Sequence, residues 1–108
     1  MMLYEWRAYE IAPGKRGALN DRFQNVTLKL FDKHGIKALG FWEAVIGSTN
    51  VLYYMLVWEN MAHREKAWNS FMADPEWKKA FKETEKDGAL TVRIVNYLLK
   101  PAPFSPVK

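Results

Sequence analysis

Glu5, Arg7 and Tyr9 follow one another at a spacing of two, which in an extended chain lines up an acid, a cation and a phenol on one face. Such a row can bind a carboxylate. Arg7 would anchor an anionic or carbonyl group, Tyr9 would donate a hydrogen bond, and Glu5 would orient Arg7 or exchange a proton. The same row also reads as a buried ion pair and hydrogen-bond ladder that sets strand register or a dimer seam, because buried polar groups need partners whether or not a ligand exists. The large rings Trp6, Trp42, Tyr53, Tyr54, Trp58, Trp68 and Trp77 exceed what so short a chain needs. They read either as a cage for a flat, apolar molecule or as plain core. The ligand-binding residues expected are Glu5, Arg7, Tyr9, Trp42, Tyr54, Trp58 and His63.

The rest of the chemistry-bearing residues exclude more than they offer. His34 stands beside Gly35 at a helix end, where the negative end of the helix dipole favours an imidazolium; a catalytic base would need a positioned partner and a cleft. His63 falls in the first turn after Asn60, with Arg64 beside it, and cations there oppose the dipole, which points to an exposed neutral histidine or a specific contact. Two distant histidines and no cysteine make no ligand spacing, so no metal is expected. No phosphate loop, dinucleotide fingerprint or nucleophile elbow around Ser48, Ser70 or Ser105 occurs, and no cofactor is expected. The lack of cysteine excludes disulfides and thiol catalysis and suits a reducing, cytoplasmic setting. The net charge is +4, yet Lys78, Lys79, Lys82 and Lys86 interleave with Glu76, Glu83, Glu85 and Asp87. That is a solvated helix face, and no nucleic-acid partner is expected. Charges interrupt the opening Leu3 to Arg7 before any membrane span or leader core could form, so a soluble, unprocessed chain is expected.

The elements that must position these groups follow from periodicity. Leu3 to Ile11 alternates as a strand, with Tyr4, Trp6 and Ala8 on one side and Leu3, Glu5, Arg7, Tyr9 and Ile11 on the other. Ala12, Pro13 and Gly14 break it, and Pro13 suits the first turn of a helix. That helix carries the stripe Leu19, Phe23, Val26 and Leu30 and stops at Gly35. Ile36 to Ile46 reads as a second strand, and Gly47 to Asn50 as a hairpin loop. The third strand, Val51 to Trp58, has no polar alternation, so both its faces should be buried. Asn60 caps a helix through Ala67, Trp68, Phe71 and Met72; Asp74 and Pro75 interrupt it before a segment carrying Trp77 and Phe81. Leu90 to Leu99 is a fourth strand with Arg93 and Asn96 on opposite faces. Pro101, Pro103 and Pro106 make residues 100–108 an extended arm.

The order strand, helix, strand, strand, helix, strand defines a single α+β domain over residues 1–108. It is a ferredoxin-like βαββαβ arrangement with a four-stranded antiparallel sheet and helices on one face. The uncovered face would then expose an apolar patch larger than monomers carry. A second copy, joined across a two-fold axis, is the expected cover, giving a homodimer whose two sheets close a barrel.

A run of short pieces, specific in their order, supports the same conclusion: Tyr4-Glu5-Trp6-Arg7-Ala8-Tyr9 with Pro13-Gly14; Gly40-Phe41-Trp42 with Ile46-Gly47; Asn50; Trp58-Glu59-Asn60 with Ala62-His63-Arg64; Asp74-Pro75-Glu76-Trp77; and Leu98-Leu99 before Pro101, Pro103, Phe104, Ser105 and Pro106. In these the chain resembles the NIPSNAP family, a resemblance that implies a dimeric α+β barrel. Tyr54 departs from the pattern, since relatives often carry histidine there, though tyrosine keeps a ring and a hydroxyl. By analogy of fold alone, any catalysis would be of a cofactor-free, oxygenase- or isomerase-like kind. Two functions are therefore expected as alternatives. One is a homodimer binding a small aromatic or carboxylate-bearing molecule in an aromatic-lined pocket; the other is a non-catalytic dimerisation or protein-interaction module.

Overall fold

A computed structural model describes residues 2–108. The elements run β1 (Leu3–Ile11), α1 (Arg16–Arg22), a π-helical turn (Phe23–Thr27), α2 (Leu28–Lys33), β2 (Lys37–Glu43), β3 (Val51–Trp58), α3 (Met61–Ala73), α4 (Pro75–Thr84) and β4 (Thr91–Leu99). The strands form one antiparallel sheet in the order β2-β3-β1-β4, the ferredoxin-like arrangement. β1 alternates from Glu5 onward and β3 from Val51 to Leu56, after which Val57 and Trp58 are both buried; the second face of β3, expected to be buried, is half-buried at Val51, Tyr53 and Met55. Glu5, Arg7, Tyr9 and Ile11 of β1, with Leu52, Tyr54, Leu56 and Trp58 of β3, are buried on the helix side. Leu19, Phe23, Leu30, Phe31, Ala67 and Phe71 of the helices close the core over them.

The first helical stretch departs from a plain α-helix. A rod running from Arg16 to Lys33 has its middle turn expanded, so that the Leu28 amide bonds the Phe23 carbonyl five residues back. The Thr27 hydroxyl donates to the Arg22 carbonyl at 3.3 Å, across the same spacing. Such expansions rotate everything beyond them relative to everything before, and often mark functional positions. Here the expected stripe is kept only in part: Leu19, Phe23 and Leu30 are buried, Val26 is half-buried, and Arg22 and Phe31 join the inward face. Gly35, at φ +72°, ends the rod, with the Ile36 amide returning to the Phe31 carbonyl at 2.8 Å. Pro13 lies in a turn ahead of the helix and not in its first turn: Gly14 sits at φ +76° and the Lys15 amide bonds the Ala12 carbonyl at 3.0 Å.

The second pair of helices starts as the caps require. The Asn60 side chain accepts from the His63 amide at 2.8 Å, and Asp74 accepts from the Glu76 amide at 2.8 Å with Pro75 at the first helical position of α4.

Two expected boundaries are corrected. β2 stops at Glu43 and not at Ile46, because its partner β3 begins at Val51 and pairs Leu52 with Glu43. Val45 and Ile46 therefore have no ladder to join and stand 98% and 95% exposed in a loop longer than a four-residue hairpin. The carboxyl-terminal arm is not extended. The Ser105 amide bonds the Ala102 carbonyl at 2.9 Å in a turn, and the Tyr4 hydroxyl donates to the Lys108 carbonyl at 2.8 Å. The arm folds back beside Tyr4, Leu39, Met55 and Leu99.

The strand-boundary correction has a measurable consequence. In urea denaturation, serine at Val45 or Ile46 is expected to change stability by less than about 0.5 kcal/mol, whereas Leu56→Ala, in the buried face of β3, costs about 2–5 kcal/mol. A large loss from the loop substitutions would return both residues to a paired strand.

Candidate functional site

The Glu5-Arg7-Tyr9 row lies on the helix side of central strand β1. At its lower end the Glu5 carboxylate is wholly buried and receives hydrogen bonds from four side chains. Oε1 accepts from Trp58 Nε1 at 3.0 Å and from Arg64 Nε at 2.7 Å. Oε2 accepts from Arg7 Nη1 at 2.7 Å, Arg64 Nη2 at 3.0 Å and Asn96 Nδ2 at 2.8 Å. Arg64 thus forks onto the carboxylate in a bidentate pair. Burial alone would raise the Glu5 pKa; the bonds from Arg64 and Asn96, the charge of Arg7 and the Trp58 indole outweigh it and pull the carboxyl down to about 2.

Arg7 is the next group up the strand. Its Nε donates to the Tyr54 hydroxyl at 2.8 Å, which donates in turn to the Tyr9 hydroxyl at 2.8 Å. The guanidinium also lies 4.7 Å from the centre of the Trp68 ring. Burial raises the Tyr54 pKa well above the usual phenol value, and the neighbouring Tyr9 adds to this against the pull of Arg7. Tyr54 is therefore a neutral relay and not a base. The chain of donors ends at Tyr9, whose own hydroxyl proton has no acceptor among the described residues.

Arg7 and Tyr9 form part of the wall of a cavity of about 490 Å³ between the sheet and the helices. The helix side of the wall comes from Arg22, Phe23 and Thr27 of the first rod, Phe31 of α2, Trp68, Phe71 and Met72 of α3, and Trp77, Lys78 and Phe81 of α4. Glu85, Thr91 and Ile94 complete it. The wall is rich in aromatic rings and carries three cations, Arg7, Arg22 and Lys78, against one carboxylate, Glu85. Arg22 lies over the Trp77 and Phe81 rings at 5.1 and 5.4 Å, and its Nη1 donates to Glu85 Oε2 at 2.8 Å and Thr84 Oγ1 at 3.1 Å. Its Nε is buried without a hydrogen-bond partner. A lining of this kind can hold a flat molecule with an oxygen or anionic group; it holds no imidazole or thiol for proton or acyl transfer.

The structure divides the residues expected from the sequence. Arg7 and Tyr9 reach the cavity wall, Tyr54 sits behind them and bonds both, and Glu5 and Trp58 lie deeper, holding Arg7 in place without lining the cavity. Trp42 is on the opposite face of the sheet, 5.9 Å from Trp6. His63 is also elsewhere. Its Nδ1 accepts from the Glu59 amide at 3.0 Å and its Nε2 bonds the Gly35 carbonyl at 3.0 Å, which fixes a neutral tautomer with the proton on Nε2. The ring packs edge-on against Trp58, so His63 pins the start of α3 to the end of α2. His34 bridges Ser70 (2.8 Å) and Asp74 (2.7 Å) outside the cavity. Its bond, with that of Lys33, holds Asp74 well below the usual carboxylate range. Among the described residues no cluster of three or more His, Cys, Asp or Glu could hold a metal.

Arg22, Thr27 and Glu85 are cavity residues that the sequence reading missed. Arg22 did leave a signal: it falls three residues after Leu19 and four before Val26, on the very stripe taken as apolar. A charged residue in that position must bury its head or break the stripe.

Comparison with known proteins agrees with the architecture. A family model described as NIPSNAP matches residues 4–106. Protein NipSnap homolog 3B of Mus musculus is 29% identical over 79 residues, which is 72% of this chain and 31% of that protein; the chain thus spans about a third of the length of this curated relative. A crystal structure of a NIPSNAP family protein from Agrobacterium tumefaciens superposes with a TM-score of 0.87 at 19% identity, covering 100% of both chains. That of an uncharacterized NIPSNAP-like domain protein from Burkholderia xenovorans gives 0.83 at 24% identity, covering 97% of this chain and 89% of the other.

Removing the Glu5 charge tests the buried network. At neutral pH, Glu5→Gln is expected to cost about 3–5 kcal/mol, because two guanidinium groups lose their shared counter-ion. The folded pKa of Glu5 is depressed from 4.5 to about 2, so the wild-type advantage is fully present above pH 4.5 and is lost as pH falls through 2. Chemical denaturation at a series of pH values should show the two proteins converging over that window. A constant gap down to pH 2 would contradict the assignment.

Proposed function

Since this chain belongs to the NIPSNAP family, we propose that it acts as a homodimer in which each subunit binds a small, flat organic molecule in the cavity between sheet and helices. The observation that carries this reading is the cavity itself. About 490 Å³ is within the range of small-molecule sites, and aromatic walls with a few convergent polar groups are their usual composition. The wall's excess of cations favours a ligand with an electron-rich oxygen or a carboxylate. The Tyr9 hydroxyl proton has no acceptor among the described residues and can donate to such an oxygen, with the Arg7 guanidinium beside it in the wall. Glu5, Tyr54, Trp58 and Arg64 hold these two donors in fixed positions before a ligand arrives, which lowers the ordering cost of binding.

The dimer half of the reading rests on the other face of the sheet. Trp6 stacks on Tyr53 at 5.6 Å and meets Trp42 at 5.9 Å, and Leu39, Trp42, Tyr97 and Leu99 are exposed large apolar groups. Cross-strand neighbours Trp6 with Tyr97, and Tyr4 with Leu99, extend that surface across β4. A second copy using the same surface buries it without requiring a different partner.

Two measurements test the reading. Sedimentation equilibrium at micromolar concentration should give twice the 12.6 kDa chain mass, and Trp42→Glu, placing like charges across the two-fold axis, should give folded monomer. A wild-type monomer with its fold intact would overturn the dimer. In thermal-shift assays, aromatic acids such as 2-naphthoate should raise the wild-type melting temperature by several degrees at an excess of about 100-fold over Kd, and the rise should shrink in Arg7→Met. With no stabilisation by any aromatic acid, the non-catalytic interaction module becomes the better account. Phe104, 90% exposed on the carboxyl-terminal arm, would then be its first contact residue to substitute.

A further inference from the structure

Resting on the cavity reading above, we propose that Arg22, and not Arg7, grips the ligand's carboxylate, so that the ligand class is a flat aromatic acid with one carboxylate. Glu85 occupies the same guanidinium when no ligand is bound.

A guanidinium receives a carboxylate through two parallel N–H donors on one edge. Its two usable edges are Nε with Nη2, and Nη1 with Nη2. Arg7 has one nitrogen of each edge engaged, Nε by Tyr54 and Nη1 by Glu5. Its Nε edge is therefore closed to a fork, and its other edge is already shared with the Glu5 carboxylate. Arg22 differs. Only its Nη1 is engaged, by Glu85 and Thr84, and no described residue accepts from the Nε and Nη2 edge.

That unpartnered edge belongs to a side chain that is only 5% exposed and lines the cavity. A buried charged donor without an acceptor is costly to folding and calls for a functional reason. The surroundings supply one. The guanidinium lies over Trp77 and Phe81, and Trp77 packs 4.7 Å from Phe71. A carboxylate forked on Arg22 would thus meet its partner in a water-poor, aromatic setting that strengthens the ionic hydrogen bond. A planar ring system carrying that carboxylate matches the ring-lined wall beside it. One carboxylate is the limit, because a single edge of Arg22 is left without a protein partner. Glu85 holds Arg22 by a single oxygen on Nη1, so it can stay in place while the other edge takes the ligand. Its negative charge then opposes a second carboxylate and tempers affinity for the first.

The experiment is calorimetric titration of 2-naphthoate and of its neutral isostere 2-naphthamide into wild type, Arg22→Lys, Arg22→Met, Arg7→Met and Glu85→Gln. Wild type should prefer the acid by tenfold or more. Arg22→Lys keeps the charge but loses the fork and should weaken the acid about tenfold, with amide affinity changed less than twofold. Arg22→Met should abolish the preference, and Glu85→Gln should tighten the acid severalfold. If the acid preference survives in Arg22→Met and disappears in Arg7→Met, the Arg22 assignment is overturned and the cavity reading stands. If neither probe binds any of the proteins, both fall together. Should the Arg22 variants not fold, Glu85→Gln decides, and an unchanged acid affinity there overturns the proposal.

Discussion

One buried carboxylate ties the structure together. Glu5 sits in a central strand, and its donors come from every direction: Arg7 from its own strand, Trp58 from β3, Asn96 from β4 and Arg64 from α3. Taking such a charge out of water is expensive, and the mutual attraction of buried ions does little more than offset that cost. What the network supplies is register. A slip of one residue in β1 would carry Glu5 to the opposite face among Trp6, Trp42 and Tyr53 and leave two guanidinium groups without a counter-ion. The alignment it enforces sets Arg7 opposite both Tyr54 and Asn96, and so fixes the row of donors that reaches the cavity.

The second wall depends on a different device. An unbroken α-helix from Arg16 to Lys33 would drift steadily around its axis, and the residues after Thr27 would meet the sheet at another angle. The π-helical turn at Phe23–Thr27 inserts the difference. It lets Leu19 and Arg22 face inward ahead of the expansion while Leu30 and Phe31 face inward after it. The aromatic surface of α4 then meets Arg22, whose guanidinium lies over the Trp77 and Phe81 rings. The two guanidinium groups of the cavity are thus held by unrelated means: Arg7 through a polar network in the sheet, Arg22 through a local change of helix pitch and an aromatic cover.

Much of this was legible in the sequence because β-strands have a period of two. The split of Leu3 to Ile11 into a polar row and an aromatic row, and the assignment of Asn96 and Arg93 to opposite faces, follow from alternation alone; Asn96 meets Glu5 on one side and Arg93 meets Glu10 on the other. The caps at Asn60 and Asp74 were equally local. What was not legible depended on partners. Val45 and Ile46 have the composition of a strand, but whether they pair is decided by where β3 begins. The π-helical turn has no composition of its own, and without it Arg22 looks like an interruption of an apolar stripe instead of a wall residue. Trp42, Trp58 and His63 were grouped with the site by residue type; placement separates them, because one lies on the far face, one lies beneath the wall and one locks two helix ends together. The hydrogen bonding differs along the row: Glu5 is satisfied by protein groups, whereas the Tyr9 hydroxyl proton has no acceptor among the described residues.

The ionised state of Glu5 is therefore the point on which the whole description turns. A carbon-detected NMR titration of its side-chain carboxyl reads that state directly. The account predicts a midpoint of about 2, with Trp58 Nε1 and Asn96 amide proton signals moving at the same pH. A midpoint at or above 4.5, the ordinary value, with those neighbours unmoved, would mean that the carboxylate is not the buried counter-ion of Arg7 and Arg64.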